Sequence, residues 1–257
     1  MQILLASAKT MTATSTVKSN IVGTPLFQEE ANRHVSQLIQ LSQEELQSLL
    51  KCNAQIAAQN RKRYITFFDD ADGKLPAILA YTGMVFKHLK ATDFSEADFE
   101  FANKHLWITS FLYGLLRPMD QIKNYRLEGN VKLPDNDGKS MFAYWKPLLT
   151  DALIDSVKKD DGILMDLAPE EMTFLFDWER VKREVHVIEP KFYVQKGDKL
   201  KIVTVYAKML RGEMTRFILK NKIQHPEDLK SFRYEGYAFQ KENEENTSLS
   251  EWLFVLP

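Results

Sequence analysis

Short apolar runs, separated by stretches of helical spacing, constrain the fold of this chain more than any other feature. Residues 3–5, 163–165 and 185–188 are such runs and have the character of buried strands. Helical signals lie between them, among them a Ser-x-x-Glu capping box that begins at Ser42. Residues 196–198, Lys-Gly-Asp, add a hairpin turn. Helical crossovers together with a local hairpin predict a mixed α/β fold, with one mixed sheet surrounded by helices.

Several classes of protein are disfavoured by composition. No linker rich in proline or glycine divides the 257 residues, so a single domain over 1–257 is predicted. The lone Cys52 permits no internal disulfide, which suits a reducing compartment. The first residues lack the basic start of a signal peptide, and no apolar run approaches the ~20 residues of a membrane helix. We therefore expect a cytoplasmic protein with no membrane association.

Charge and histidine content give no direct sign of a ligand. The chain has 34 basic and 35 acidic residues, so a nucleic-acid site would have to be a local patch. The five histidines are scattered and have no close cysteine or carboxylate spacing. No metal site, cofactor or obligate protein partner is therefore predicted.

A basic helix is expected from about Lys208 to Asn221. At ~100° per residue Lys208 and Arg211 share a face, and Gly212 beside them would let another backbone or a phosphate approach closely. Placed in the first turn, these cations oppose the helix dipole, which a bound anion would relieve. The alternative is an ordinary solvated helix face with carboxylate partners elsewhere.

Other basic residues also have two interpretations. Lys9 follows the first strand in a turn of small residues, either as an anion contact or as a surface lysine. Arg117 and Arg126 flank a segment that contains Asp120, where a structural ion pair is the simpler reading. The triplet at residues 61–63, Arg-Lys-Arg, suits the C-terminus of a helix, where cations complement the dipole.

Several segments resemble those of one protein family. The matching stretches are residues 7–10 (Ser-Ala-Lys-Thr), 112–120 (Leu-Tyr-Gly-Leu-Leu-Arg-Pro-Met-Asp), 125–128 (Tyr-Arg-Leu-Glu), 138–139 with 144–145, 206–218, 232 and 235–239. Their order and spacing resemble the YaaA peroxide-stress protein family. The chain departs from the family pattern at Ser7, where proline is usual, and in residues 166–172, where the usual serine and tyrosine are missing.

The resemblance implies a family-specific α/β fold and a cytosolic role in surviving hydrogen peroxide by limiting free iron. It also implies DNA binding through a basic cleft and a helix-hairpin-helix element. Residues 49–57 are the candidate for that element, with Lys51 and Asn53 where hairpin glycines are usual. An ordinary helix pair is the alternative there.

The leading hypothesis is therefore a DNA-binding stress protein without a catalytic residue. Its contacts would read phosphate and shape, not sequence, in duplex or distorted DNA. Tyr206, Tyr234 and Tyr237 are candidates for stacking on unpaired bases. The predicted DNA-binding or anion-binding residues are Lys9, Lys51, Asn53, Arg61, Lys62, Arg63, Arg117, Arg126, Lys139, Lys208, Arg211 and Arg216.

An enzyme that acts on a small, nucleotide-like anion is the alternative from another class. Lys9, Arg126, Lys208 and Arg211 would hold the anion, with Glu128 or Asp120 as the acid or base. A deep, narrow pocket would favour this hypothesis, and a long open groove would favour DNA. Direct iron sequestration is a third possibility, which the scattered histidines and single cysteine disfavour.

Overall fold

Parallel strands from distant parts of the chain form the centre of the structure. The computed structural model describes residues 1–69, 73–246 and 248–257. Its strands in this part of the chain are β1 (Gln2–Ala6), β2 (Leu75–Pro76), β3 (Leu106–Ser110), β4 (Gly114–Leu116), β5 (Gln121–Ile122), β6 (Ile163–Asp166), β7 (His186–Lys196), β8 (Lys199–Lys201), β9 (Arg233–Tyr234), β10 (Tyr237–Asn246) and β11 (Leu249–Leu256).

The described helices surround this sheet. They are α1 (Gln28–Ile39), α2 (Gln43–Leu49), α3 (Ala54–Ile65), α4 (Ala77–Ala80), α5 (Met84–Leu89), α6 (Glu96–His105), α7 (Met141–Lys159), α8 (Trp178–Glu184) and α9 (Thr204–Asn221). Short 3-10 helices cover Ala91–Asp93, Glu170–Leu175 and Pro226–Ser231. None of the described helices has the length and apolarity needed to cross a membrane.

The main sheet has the order β4-β3-β1-β6-β7-β11-β10-β9, with β8 paired to β7. The run from β3 to β11 is parallel, whereas β4, β8, β9 and β10 join it in antiparallel pairs. Strand β1 is buried along its whole length because it has a strand on each side and helices over the sheet. The predicted mixed α/β fold is thereby confirmed.

Local sequence signals place several helix boundaries correctly. Ser42 and Glu45 form a complete capping box at the start of α2, and Ser95 and Asp98 form another at the start of α6. The Asn53 side chain accepts a hydrogen bond from the Ile56 amide and so caps α3. The hairpin turn predicted at residues 196–198 joins β7 to β8.

The predicted start of the basic helix is wrong. Helix α9 begins at Thr204, four residues before Lys208, so neither Lys208 nor Arg211 lies in the first turn. The argument that these cations oppose the dipole at the helix N-terminus therefore fails. Residues 201–205 are rich in β-branched side chains, which favours a strand, yet β8 ends at Lys201. Residues 125–128 belong to neither a helix nor a strand of the described chain.

His34 provides a prediction about stability. It is fully buried on α1 against Tyr144 and Trp145, and neither ring nitrogen has a partner of hydrogen-bonding geometry among the described residues. Burial lowers the pKa of His34 to about 4, despite the opposing influence of the Leu112 backbone. The unfolded chain, whose histidine pKa is near 6.5, therefore binds a proton that the folded chain resists. Stability is fully present above that pH and is lost as the pH falls towards 4.

We expect the free energy of unfolding to drop by about 2 kcal/mol between pH 7 and pH 5 through His34 alone. Urea unfolding at both pH values, compared between the native chain and His34→Leu, measures this term. The variant should lose that part of the pH dependence. An equal pH dependence in both proteins would show that His34 is not the group responsible.

Candidate functional site

A cavity of about 430 Å³ opens at the carboxyl ends of β1 and β6. Its walls come from residues 5–10 after β1, the start of α5, residues 125–130, residues 167–172 and α9. Parallel strands leave their loops at this edge, which is where ligands of open α/β sheets usually bind. We call this cavity the edge pocket.

Among the described residues, cations from separate segments line the edge pocket, namely Lys9, Arg126, Lys208 and Arg211. Glu128 contacts the first two, with Oε2 3.0 Å from Lys9 Nζ and Oε1 2.7 Å from Arg126 Nη2. Lys208 and Arg211 form no salt bridge within the described part of the chain. The carboxylates among the described lining residues are Glu128 and Glu171, so the four cations outnumber them and the pocket has a positive excess.

Arg211 is partly buried, and this burial lowers the pKa of its guanidinium, against the opposing influence of Asp166. Asp166 ends β6, and its Oδ1 accepts a hydrogen bond of 2.9 Å from the Ala168 amide. Burial, and then repulsion by Glu189, raise the pKa of Asp166 to about 7. Asp166 precedes the lining residue Leu167 but does not itself line the pocket, so it is a buried carboxyl with a raised pKa near the pocket. It was not among the site residues predicted from the sequence.

A cluster of buried hydroxyl groups reaches the pocket through Tyr125. The Tyr125 hydroxyl, which lines the pocket, lies 2.6 Å from Ser110 Oγ and 2.8 Å from the Tyr81 hydroxyl. Ser7, at the end of β1, also hydrogen bonds to Tyr125. Burial raises the pKa of Tyr125, so its hydroxyl stays protonated and available for hydrogen bonding.

Gly212 serves the packing of helices and not the approach of a ligand. A Cβ placed on it would lie 2.2 Å from the Val85 carbonyl oxygen and 2.8 Å from His88 Cβ. The sequence suggested that Gly212 allows close approach of either another backbone or a phosphate. The structure shows the first, and the approaching backbone is that of α5. The contact holds the start of α5 and the basic face of α9 together at the pocket rim.

Arg117, another predicted site residue, lies at the opposite edge of the sheet. Its Nη1 donates to Gln2 Oε1 at 3.0 Å and to the Lys104 carbonyl at 3.1 Å, beside the starts of β1 and β3. The guanidinium stacks on the Trp107 ring, 3.4 Å from its centroid. Asp120 accepts from the Arg117 amide and lies outside the edge pocket. The acid or base role considered for Asp120 therefore has no geometric support.

Arg216 and Lys139 are also outside the edge pocket. Arg216 makes a bidentate ion pair with Asp93, each contact 2.8 Å, and donates to the Lys90 carbonyl. It anchors α9 to the segment after α5. Lys139 is exposed in the turn before α7. Of the tyrosines considered for stacking, Tyr237 is buried, whereas Tyr206 is exposed on α9 and does not line the pocket.

Helices α2 and α3 lie where the helix-hairpin-helix element was predicted. Lys51 adopts φ 46°, a left-handed conformation, in the connection between them. Lys62 and Arg63 line a smaller hollow of about 300 Å³ beside α3. The Tyr64 hydroxyl donates to the Arg126 carbonyl, which joins α3 to the wall of the edge pocket. DNA contacts by Lys51, Asn53 and residues 61–63 stay a prediction.

Comparison with known proteins gives the family. The family model described as "Peroxide stress protein YaaA" matches residues 1–243. A UPF0246 protein of Phocaeicola vulgatus is 53% identical over 239 residues, 93% of this chain and 94% of that protein. A UPF0246 protein of Bacteroides fragilis is 51% identical over 247 residues, 96% of each chain, and one of Parabacteroides distasonis is 42% identical over 255 residues, 99% of each. The chain therefore belongs to the peroxide stress protein YaaA family.

Proposed function

We propose that this protein protects the cell against hydrogen peroxide by binding DNA phosphates through the edge pocket. Membership in a peroxide-stress family supports the stress role. The proposed binding is independent of base sequence and takes place in the cytoplasm. A lower level of free iron, and so less Fenton damage, would follow indirectly from this activity.

The single observation that carries the proposal is the convergence of cations at the edge pocket. Lys9 and Lys208 are exposed, whereas Arg126 and Arg211 are partly buried, so the pocket presents charge at its rim and deeper inside. Phosphate groups are the polyanion that such a set of lysine and arginine side chains fits best. Since each contact is to phosphate, we expect affinity that depends strongly on salt.

A specific observation also favours the second candidate, an enzyme acting on a small, nucleotide-like anion. The edge pocket is a bounded cavity, not a long groove, and the buried carboxyl of Asp166 is next in the chain to its lining residue Leu167. The raised pKa of Asp166, about 7, suits a group that donates or accepts a proton at neutral pH. Glu128, which lines the pocket, is engaged by two cations, whereas Asp166 is buried and does not line the pocket.

Removal of the uncompensated cations tests the leading proposal. The double variant Lys208→Ala/Arg211→Ala is expected to weaken DNA binding and to make the log–log salt dependence shallower by about 2. Fluorescence anisotropy with duplex and bubbled DNA over a salt series measures both quantities. A screen of mononucleotides by calorimetry under the same conditions tests the enzyme candidate.

The matched control is Lys104→Ala/Lys159→Ala. It removes the same formal charge from exposed positions near the opposite edge of the sheet. This control should retain the native salt slope. Absence of DNA binding at low salt, or equal slopes for all of the proteins, would contradict the proposal. Mononucleotide binding without DNA binding would favour the enzyme.

A further inference from the structure

An exposed aromatic surface continues from the edge pocket. Phe174 is 59% exposed, and its ring centroid lies 5.8 Å from that of Phe142, which in turn lies 5.2 Å from Phe111. Phe111 and Phe142 line the edge pocket, whereas Phe142 and Phe174 line a neighbouring hollow of about 500 Å³. We call Phe142 and Phe174 the aromatic ledge.

The ledge is held in place by its surroundings. Phe174 belongs to the 3-10 helix Glu170–Leu175, whose Met172 and Leu175 are buried and so direct Phe174 outwards. Phe142 packs over Gly129, where an added Cβ would lie 2.2 Å from Cε2 of the ring. A single exposed phenylalanine is common at protein surfaces. This one is distinguished by a supported partner ring and by its position beside a cationic pocket.

Polar groups where the edge pocket meets the ledge favour one orientation of a bound ligand. Asn130 and Glu171 line both the edge pocket and the ledge hollow. Lys146 also lines the ledge hollow, but the carboxylate of Glu171 offsets its charge there. Lys208 and Arg211 attract phosphate at the other end, in the edge pocket. Carboxylate and amide groups are suited to the exocyclic amino groups and ring nitrogens at a base edge. The combined surface therefore accepts an anion at one end and a planar ring with polar edges at the other.

We propose that the edge pocket and the ledge together take one unpaired nucleotide, with its phosphate on Lys208 and Arg211 and its base stacked on Phe174. The inference rests on the proposed phosphate binding and adds the base, the stacking surface and the orientation. The unit has the same chemistry whether it is a free nucleotide or part of a single strand. An intact base pair hides the faces that the ledge requires.

The test compares a short single-stranded oligonucleotide with the same strand carrying abasic tetrahydrofuran residues, which keeps every phosphate. Native protein is expected to bind the strand with bases roughly tenfold more tightly, as stacking of one base on an aromatic ring predicts. Phe174→Ala should reduce that ratio to near one without changing affinity for the abasic strand. Phe174→Trp should retain the preference. Phe68→Ala, which removes a ring that is 52% exposed elsewhere, is the matched control and should behave as native.

The outcomes distinguish failure of the nucleotide site from failure of the proposed phosphate binding on which it rests. Equal binding of both strands by native protein overturns the nucleotide site but leaves phosphate binding intact, provided that Lys208→Ala/Arg211→Ala still weakens both. An unchanged ratio in Phe174→Ala also overturns it. Failure to bind either strand overturns both proposals. Comparing the binding of deoxyadenosine monophosphate with that of deoxyribose 5-phosphate repeats the test for a free nucleotide. The result shows whether the site takes a free nucleotide or one within a single strand.

Discussion

Replacing Arg117 by alanine is expected to lower the free energy of unfolding by about 3–4 kcal/mol without weakening DNA binding. The guanidinium joins β1, β3 and α7 through Gln2, the Lys104 and Leu106 carbonyls and Ser156 Oγ, over distances of 3.0–3.3 Å. Its removal takes a charged donor from each of these acceptors, although Gln2 Nε2 still donates to the Lys104 carbonyl and Trp107 Nε1 to Ser156 Oγ. It also exposes the face of Trp107. The loss of stability should therefore be large, although the family resemblance alone would assign Arg117 to DNA binding.

Urea unfolding and the anisotropy titration, applied to the same variant, check both parts of this expectation. Arg117→Lys is the informative comparison, because lysine keeps the charge but lacks the planar, multiply donating group. It should recover only part of the lost stability. A shallower salt slope in Arg117→Ala, measured below its unfolding transition, would instead indicate that Arg117 contacts phosphate.

Gly212→Ala is expected to cost about 3 kcal/mol and to weaken ligand binding as well. The new methyl group would meet the Val85 carbonyl oxygen and the Leu89 amide, at 2.2 and 3.1 Å, and these are backbone atoms that cannot rotate away. Helices α5 and α9 must therefore separate. Since both helices line the edge pocket, their separation would move Lys208 and Arg211 away from the opposite rim.

Thermal unfolding and the DNA titration measure these two consequences of Gly212→Ala. Gly73→Ala is the control, because a Cβ at Gly73 meets no described atom within 4 Å. It should leave stability and affinity near the native values. A Gly212→Ala protein of native stability would show that the α5–α9 contact yields easily and would weaken the argument for a rigid pocket rim.

The sequence was informative where local chemistry decides the structure. Ser42 caps a helix as expected, and residues 3–5 and 163–165 form strands of the sheet, because these features depend on neighbours along the chain. The start of α9 was misplaced because Val203, Thr204 and Val205 favour strands locally. In the folded chain this segment continues into a helix that packs on α5, and tertiary packing overrides the propensity.

The candidate site was predictable only in part. Lys9, Arg126, Lys208 and Arg211 were grouped before the fold was known, and they do lie together. Arg117 and Arg216 looked equivalent in sequence, but burial against Trp107 and pairing with Asp93 are contacts between distant segments. Asp166 and the aromatic ledge were also not predicted, because they too depend on contacts between distant segments. No local pattern reports that a carboxylate will be desolvated or that two phenylalanines will share a surface.

The position of β11 in the sheet has a consequence for how the protein is made. Strands β9 and β10 reach β7 only through β11, which pairs in parallel with β7 and antiparallel with β10. During synthesis β7 leaves the ribosome well before β11, so the edge of β7 that pairs with β11 stays open until residues 249–256 emerge. Such non-local pairing slows folding and prolongs the exposure of unpaired strand edges, which are prone to aggregation. A protein built this way is most vulnerable to aggregation as a nascent chain, when it would most benefit from a chaperone.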